Sequence, residues 1–316
     1  KMGYLRHYRA DGTLESNHRF ETFKNMRNAS LSRTNTTHFP AWKNIGPDPI
    51  GTGVKRNGRV ISIAFDPVDA NAVWVGSAEG GLWKSDSLGE AWRPMTDDLP
   101  VLGVSTIAIK PSDPNIMLIG TGEGKSTAPW VLSLEPGQGV FRSVDKGVQW
   151  ESTSFTNSDY ANISIYDIKW RPQSDVVYLA ASNGFWRSTD GGQNWSLIKS
   201  GRCVSIDFNV QSPDIVFAVF QNDGIYKSEN QGMPGSWQQI TNGLPSGISV
   251  GYSSLHINRK NPQLMYVSIT DDSPTVSTWP LLGLYKSTNG GLNWTLMTLP
   301  FDHLCQPTNP NCQGWY

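Results

Sequence analysis

Cysteine, net charge and long apolar runs are scarce in this 316-residue sequence, and each shortage excludes a class of protein. The three cysteines have no metal-ligand spacing, so we predict no metal site. The formal net charge of −1 at pH 7 provides no basic surface for nucleic acid. No run of about 18 apolar residues occurs, so we predict no transmembrane segment. The glycine-rich stretch at 120–124 lacks the ending of a phosphate-binding loop, and we expect no cofactor.

Turn-forming and aromatic residues are abundant by contrast. The chain has 31 glycines, 20 prolines and 13 tryptophans, and 38% of its residues are hydrophobic. Short apolar runs bounded by glycine, proline, asparagine and aspartate are typical of β-strands joined by tight turns. The composition therefore predicts an all-β protein, and the length is sufficient for a large core.

One turn motif is repeated along the sequence. The pattern S-x-D-x-G-x-x-W, with asparagine in place of aspartate in its third full copy, comprises Ser143, Asp145, Gly147, Trp150, Ser188, Asp190, Gly192, Trp195, Ser287, Asn289, Gly291 and Trp294. Weaker copies begin at Ser85 and Ser228. Aspartate or asparagine accepts backbone N–H groups in a turn, and glycine adopts positive φ without a steric clash. We therefore expect a structural role, with each tryptophan packed over its turn.

This motif is the Asp-box, and the chain resembles the BNR/Asp-box β-propeller families. These include sialidases, sortilin-type receptors, xyloglucan-active glycosidases and a photosystem assembly factor. The runs at 42–46, 57–60, 121–124 and 313–316 look most like large secreted bacterial propellers with C-terminal sorting tails. The resemblance covers about residues 42–315 and implies blades of four antiparallel strands. The early arginine motif of sialidases is not found.

The sequence divides into an N-terminal arm or linker at 1–40 and a propeller at 41–316. First strands of five complete blades are expected at 60–65, 105–109, 165–170, 204–208 and 253–257. A partial blade begins at Trp42, and an unfinished blade lies near the C-terminus. We therefore predict a fragment of a seven- or eight-bladed ring. Insertions at 121–138 and 270–282 should project from the face opposite the Asp-boxes, where loops on a rigid scaffold commonly bind ligands.

Candidate binding residues lie in these insertions or elsewhere around the same face and the channel. Each insertion has a tryptophan beside a proline, and the full predicted set is Trp130, Trp279, Arg59, Glu79, Glu123 and Asp223. Glycoside hydrolysis needs two carboxylates that flank the scissile bond, and the candidates are Glu79, Glu123 and Asp271. Polar residues on or beside first strands should line the central channel, namely Arg59, Asp167, Lys169, Arg202, Asp207 and His256.

The resemblance to xyloglucan-active enzymes is incomplete at one position. Those relatives place a catalytic aspartate just before a Gly-Gly pair, where this chain has Ala78, followed by Glu79. An offset of one residue at a strand end turns the side chain to the other face. We therefore expect a binding module for glycan or protein, with an adhesion, scaffold or secretion-linked role. The alternatives are a glycoside hydrolase acting on a polysaccharide and an assembly factor in a larger complex.

The cysteines bear on the compartment. Cys305 and Cys312 flank a loop rich in proline and asparagine and can form a small disulfide, whereas Cys203 begins an apolar strand and is expected to be a buried thiol. A local disulfide is typical of an oxidising compartment. We predict a secreted or cell-surface bacterial protein. Its glycan or protein partner should bind on the face opposite the Asp-boxes, either alone or within a larger surface or secretion complex.

Overall fold

The computed structural model describes residues 59–78, 80–97, 99, 103–122, 137–156, 163–245, 250–271 and 281–298. All of them belong to the second of two compact units, Pro47–Tyr316, the first being Lys1–Gly46. The predictions for the arm at 1–40, the partial blade at Trp42 and the Cys305–Cys312 pair lie outside the described residues. No helix long and apolar enough to span a bilayer occurs among the residues described.

The described residues form five four-stranded sheets, which we call blades 1 to 5 in chain order. Blade 1 comprises β1 (Val60–Phe65), β2 (Val73–Ser77), β3 (Leu82–Ser85) and β4 (Arg93–Pro94). Blade 2 comprises β5 (Val104–Ile109), β6 (Met117–Thr121), β7 (Val140–Ser143) and β8 (Glu151–Ser152). Blade 3 comprises β9 (Ile165–Trp170), β10 (Val177–Ala181), β11 (Gly184–Ser188) and β12 (Ser196–Ser200). Blade 4 comprises β13 (Cys203–Phe208), β14 (Val216–Phe220), β15 (Gly224–Ser228) and β16 (Trp237–Ile240). Blade 5 comprises β17 (Ser253–Ile257), β18 (Met265–Thr270), β19 (Leu281–Ser287) and β20 (Thr295–Leu296).

Each blade is an antiparallel sheet whose strands pair in chain order. The first strands of successive blades contact one another, and the second strand of each blade contacts the first strand of the next. The all-β fold and the five four-stranded blades predicted from the sequence are confirmed. Because the strands alternate in direction, the turn between strands one and two lies at the same end as the repeated turn between strands three and four.

The second strands carry the core. β10 and β14 are buried along their whole length, as expected for strands covered on both faces. The largest fully buried side chains include Trp74 on β2, Tyr178 on β10 and Phe217 on β14. Cys203 is a free, buried thiol at the start of β13, as predicted, and burial raises the pKa of this thiol. Buried side chains of neighbouring blades therefore belong to common apolar clusters.

The repeated turn has the same serine hydrogen bond in all five blades. The Ser143 Oγ accepts the N–H of Gly147 at 2.8 Å, and the Ser188 Oγ accepts that of Gly192 at 2.9 Å. The other three pairs are Ser85 with Gly89, Ser228 with Gly232 and Ser287 with Gly291. Two consecutive residues have positive φ, as at Lys146 (59°) and Gly147 (76°). This left-handed pair reverses the chain, and glycine adopts it without the Cβ clash.

Tryptophan closes the three full copies of the motif. Trp195 Nε1 donates to the carbonyl of Gly192 at 2.9 Å within its own turn, and Trp294 donates to the carbonyl of its own turn glycine at 3.1 Å. Trp150 Nε1 instead reaches the carbonyl of Met95, on the preceding blade, at 3.0 Å. An indole has an apolar body and one donor, so it fastens the turn while covering it.

The weaker copies differ in how the tryptophan is held. Two extra residues precede Trp237, and its indole nitrogen is buried with no hydrogen-bond partner in the described part of the chain. Its ring packs edge to face on Phe185 of blade 3, with 4.8 Å between centroids. Trp92 of blade 1 is 36% exposed. The ring still covers its own turn as expected, since a Cβ added at Gly232 would lie 3.3 Å from Trp237 Cζ2.

The turn carboxylates make folding stability depend on pH. Burial alone would raise the pKa of Asp145, but two backbone N–H groups and the Ser143 hydroxyl hold it below its ordinary value. Burial acts in the same direction on Asp190, and again hydrogen bonds, chiefly from Asn194, bring the net pKa down. A carboxyl group with a lowered folded-state pKa stabilises the fold at pH values above its unfolded pKa of about 4. This stabilisation is lost as the pH falls through the folded-state pKa.

We expect the double variant Asp145→Asn and Asp190→Asn to lose less stability than wild type between about pH 5 and about pH 2. Asparagine keeps the accepting oxygen, as Asn289 does in blade 5, but does not titrate. Urea unfolding midpoints at both ends of this range would measure the difference. Asp97→Asn, at an exposed position outside the turns, serves as the control. Identical acid sensitivity in wild type and double variant would contradict the prediction.

Ion pairs join neighbouring blades near the turns between first and second strands. Lys110 of blade 2 lies 2.5 Å from Asp175 of blade 3, and Arg171 of blade 3 lies 2.7 Å from Asp214 of blade 4. The two aspartate side chains are 61% and 53% exposed. Exposed pairs of this kind contribute about 0–1 kcal/mol each. They therefore add little to the stability of the blade interfaces.

Within the described ranges, one face of blade 1 has no neighbouring blade. On β1, Ile63 and Phe65 are 61% and 66% exposed, whereas Ile168 and Trp170, at the same positions of β9, are 3% and 5% exposed. In blades 2 to 5 this face of the first strand packs on the preceding blade. Among the described residues, no blade occupies that place for β1.

Candidate functional site

A cavity of about 670 Å³ lies among the first strands of all five blades. Such a volume is within the range of roughly 300–1,000 Å³ typical of small-molecule sites. Its wall includes the polar side chains of Asp167, Lys169, Tyr252, Ser254, His256 and Arg259. Since first strands make the wall, this cavity is the central channel of the blade array.

Equivalent positions around the channel carry different chemistry. At one level of the channel, the first strands of blades 1, 2 and 3 carry Ser62, Thr106 and Asp167. Each of them pairs with the fourth residue of the second strand in its own blade. Two residues further along the first strand, blades 1 and 2 have alanine, whereas blade 3 has Lys169 and blade 5 has His256. Small side chains therefore leave room on one side of the channel, and charged side chains project on the other.

Asp167 and Lys169 form an ion pair inside the channel. Their side chains lie on one strand, 3.4 Å apart, and are 22% and 27% exposed. The Asp167 carboxylate raises the pKa of Lys169 and outweighs the opposite effect of burial. The ammonium group therefore stays charged at neutral pH, with donors directed to one carboxylate and to the channel.

Asp207 anchors the channel wall between blades 4 and 5. It is 2% exposed, and its Oδ2 accepts the N–H of Ile257 across the interface at 2.8 Å. Its Oδ1 accepts the N–H of Phe208 at 3.0 Å and a guanidinium N–H of Arg259 at 3.3 Å. Arg259 also lies over the Phe208 ring at 5.2 Å and keeps 51% of its side chain exposed. The guanidinium is thus fixed on one side and open on the other.

Hydroxyl and imidazole groups complete the polar wall. Ser254 Oγ and His256 Nε2 lie 2.9 Å apart on β17, at an exposed position of the channel. Tyr166 and Tyr252 stack obliquely, with ring centroids 6.1 Å apart. Burial raises the pKa of both phenols, so they remain protonated donors at neutral pH. The wall therefore presents donors and acceptors beside flat apolar surfaces.

Three of the channel residues proposed from the sequence line this cavity, namely Asp167, Lys169 and His256. The predicted Asp207 lies behind the wall, because its carboxylate turns towards β17. Sequence reasoning missed Arg259, Tyr252 and Ser254. A signal for Arg259 was present, since it follows its first strand at the position held by proline in blades 1 to 3.

The candidates assigned to the opposite face are dispersed. Arg59 is exposed just before β1, and Asp271 is half-buried just after β18. Asp223, between β14 and β15, accepts the Tyr226 hydroxyl at 2.7 Å and pairs with Lys199 at 3.5 Å. Burial and this carboxylate raise the pKa of Tyr226 to about 12. The remaining candidates, Glu79, Glu123, Trp130 and Trp279, lie outside the described residues.

The position of the expected catalytic aspartate is buried and apolar. Ala78 is 4% exposed, and its N–H donates to the carbonyl of Arg59 at 3.2 Å. The cavity wall, within the residues the structure describes, has a single carboxylate, Asp167, and it is engaged by Lys169. No cluster of three or more metal-ligating side chains occurs in the described part of the chain. A second carboxylate for hydrolysis is therefore not described on the channel wall.

Five antiparallel blades whose first strands line a common channel define a β-propeller. No protein-family model matches the chain. It is 26% identical over 279 residues to the xyloglucanase Xgh74A of Acetivibrio thermocellus, covering 84% of this chain and 28% of the relative. It is 26% identical over 267 residues to a xyloglucanase of Paenibacillus sp., covering 80% of this chain and 22% of the relative.

A solved structure supports the same fold. An ancestral GH74 enzyme superposes with a TM-score of 0.60 at 22% identity, covering 76% of this chain and 31% of that one. The structural likeness shows the propeller fold alone. The chain spans between 22% and 28% of the length of the curated relatives named above.

Proposed function

We propose that this chain is the propeller portion of a glycan-acting protein, a glycoside hydrolase whose substrate is a xyloglucan-type polysaccharide. The observation that carries the proposal is the similarity to bacterial xyloglucanases over 84% of the chain. The expectation that a plain binding module is the leading function is therefore replaced by the hydrolase alternative. Membership of the Asp-box families and an extracellular location are parts of this proposal.

Hydrolysis by this protein would need two carboxylates on either side of the glycosidic bond. Glu79, Glu123 and Asp271 are the candidates at the face opposite the repeated turns. Loops on that face follow the second strands, and a rigid blade scaffold holds their ends in place. Arg59, Trp130, Trp279 and Asp223 are proposed as binding residues of the same face, where indole and guanidinium groups would contact sugar rings.

The test is product release from polysaccharide. Incubation of the chain with tamarind xyloglucan should release reducing ends, while soluble starch, with α-linked glucose, should release none. Affinity gel electrophoresis with the same two polysaccharides measures binding separately. Retarded migration in xyloglucan gels and release of reducing ends from xyloglucan, with neither effect for starch, would support the proposal. The absence of both effects would overturn it.

A non-catalytic glycan-binding propeller is the second candidate, and one observation favours it. The place at which xyloglucan-active relatives carry an aspartate is the buried Ala78. Binding of xyloglucan without any release of reducing ends would favour this second function. If hydrolysis occurs, Glu79→Gln compared with Glu151→Gln, an exposed glutamate on β8, would show whether Glu79 takes part.

A further inference from the structure

We propose that the central channel is a separate binding site for a small neutral sugar, held by Arg259 and His256 on one side and by the Asp167–Lys169 pair on another. This goes beyond the proposed function, because the site needs no hydrolysis and lies on first strands rather than on the loops that follow second strands.

The shape of the channel is the first argument. Ser62 and Thr106, with Ala108 below, occupy positions at which blade 3 has Asp167 and Lys169. A channel filled only for stability would have bulky apolar residues at these positions. Small residues facing charged ones instead leave a cavity of about 670 Å³ with charged side chains along one side. Sites for small ligands combine such a volume with a few placed polar groups.

The charge balance is the second argument, and it defines the ligand class. Lys169 is paired with Asp167, and Arg259 is paired with Asp207. Each cation thus already has its own carboxylate. An anionic ligand would compete with these carboxylates, and a cationic ligand would meet the ammonium and guanidinium groups. A neutral ligand with many hydroxyl groups can donate to the carboxylate and accept from both cations, so a sugar suits this wall.

The accessibility of the donors is the third argument. Arg259 keeps 51% of its side chain exposed although Asp207 and the Phe208 ring hold one side of the guanidinium. His256, exposed on β17, is oriented by Ser254 at 2.9 Å. Side chains fixed on one side and open on the other lose little freedom on binding. Tyr252 and Tyr166 add apolar surface near the other end of the channel.

The experiment is a calorimetric titration of the full chain with four sugars of similar size. Glucose and xylose are neutral, glucuronate is the anionic match of glucose, and glucosamine is the cationic match. We expect saturable binding of at least one neutral sugar, and at least tenfold weaker binding of both charged matches. The absence of saturable binding, or equal binding of a charged match, would overturn the proposal.

Variants test the residues. Arg259→Met and His256→Ala should each raise the dissociation constant of the neutral sugar about tenfold, the equivalent of one lost hydrogen bond to a charged or polar group. Arg93→Met, at an equally exposed arginine paired with Asp86 on blade 1, and Lys227→Met should leave it unchanged. Circular dichroism verifies that the variants fold. Unchanged affinity in both channel variants would overturn the site, whereas xyloglucan hydrolysis would be unaffected by that result.

Discussion

Asp207→Ala is expected to lower the free energy of unfolding by about 3 kcal/mol. The carboxylate is 2% exposed and accepts two backbone N–H groups, those of Phe208 and Ile257. Alanine would leave the Ile257 donor buried between blades 4 and 5 without its acceptor. Arg259 would also lose the carboxylate that neutralises it. An unpaired buried donor and an uncompensated charge are each costly, so the loss should exceed that of an ordinary surface ion pair.

Asp214→Ala is the matched control. Asp214 also pairs with an arginine across a blade interface, Arg171 at 2.7 Å, but its side chain is 53% exposed. Its removal should cost at most about 1 kcal/mol. Urea denaturation of both variants measures the two values, and Asp207→Asn should fall between them because it keeps one acceptor. A cost for Asp207→Ala no larger than that for Asp214→Ala would show that the buried bridge is not needed between blades.

Gly243→Ala is expected to destabilise the protein by about 3 kcal/mol, the second large effect. Gly243 has a φ of +78°, and an added Cβ would lie 2.0 Å from the carbonyl oxygen of Trp294. The left-handed conformation alone costs a residue with a side chain about 1–2 kcal/mol. The clash adds to this cost, because the oxygen belongs to backbone. Asn242, next to Gly243, accepts the N–H of Trp294, so the backbone at this point is tied to the turn of blade 5.

Gly235→Ala separates the two contributions. Gly235 has a φ of +76°, but no atom lies within 4 Å of an added Cβ. Only the conformational cost of about 1–2 kcal/mol should therefore appear. Thermal unfolding of both variants under the same conditions gives the comparison. If both alanine variants lost the same stability, the close approach of Gly243 to the Trp294 carbonyl would not exist in solution.

The strands could be predicted because their signals are local. Alternation and turn residues set the ends of β9 at Ile165 and Trp170, and the repeated serine and glycine fix each turn with short-range hydrogen bonds. The propeller fold follows from the repetition of this unit. Trp237 shows the limit, since no local pattern indicates that its ring packs on Phe185 of blade 3.

The channel could be predicted only in part, because it depends on register between strands distant in sequence. Asp167 and Lys169 are recognisable as polar residues on a first strand. Their partners across the channel are set by pairing, which places small residues of blades 1 and 2 at the same level. The anchoring of Arg259 by Asp207 joins residues 52 positions apart. No local pattern contains that information.

The exposed side chains on β1 distinguish blade 1 from blade 3, which packs between two described blades. In an array whose repeats touch only their neighbours, a repeat with one neighbour opens at a lower free energy than a repeat with two. Ile63 and Phe65 lack the packing that Ile168 and Trp170 have in blade 3. Backbone amides of β1 should therefore exchange hydrogen with solvent earlier than those of β9. Opening at β1 would expose the side of the channel lined by Ser62 before the side lined by Asp167 and Lys169 on β9.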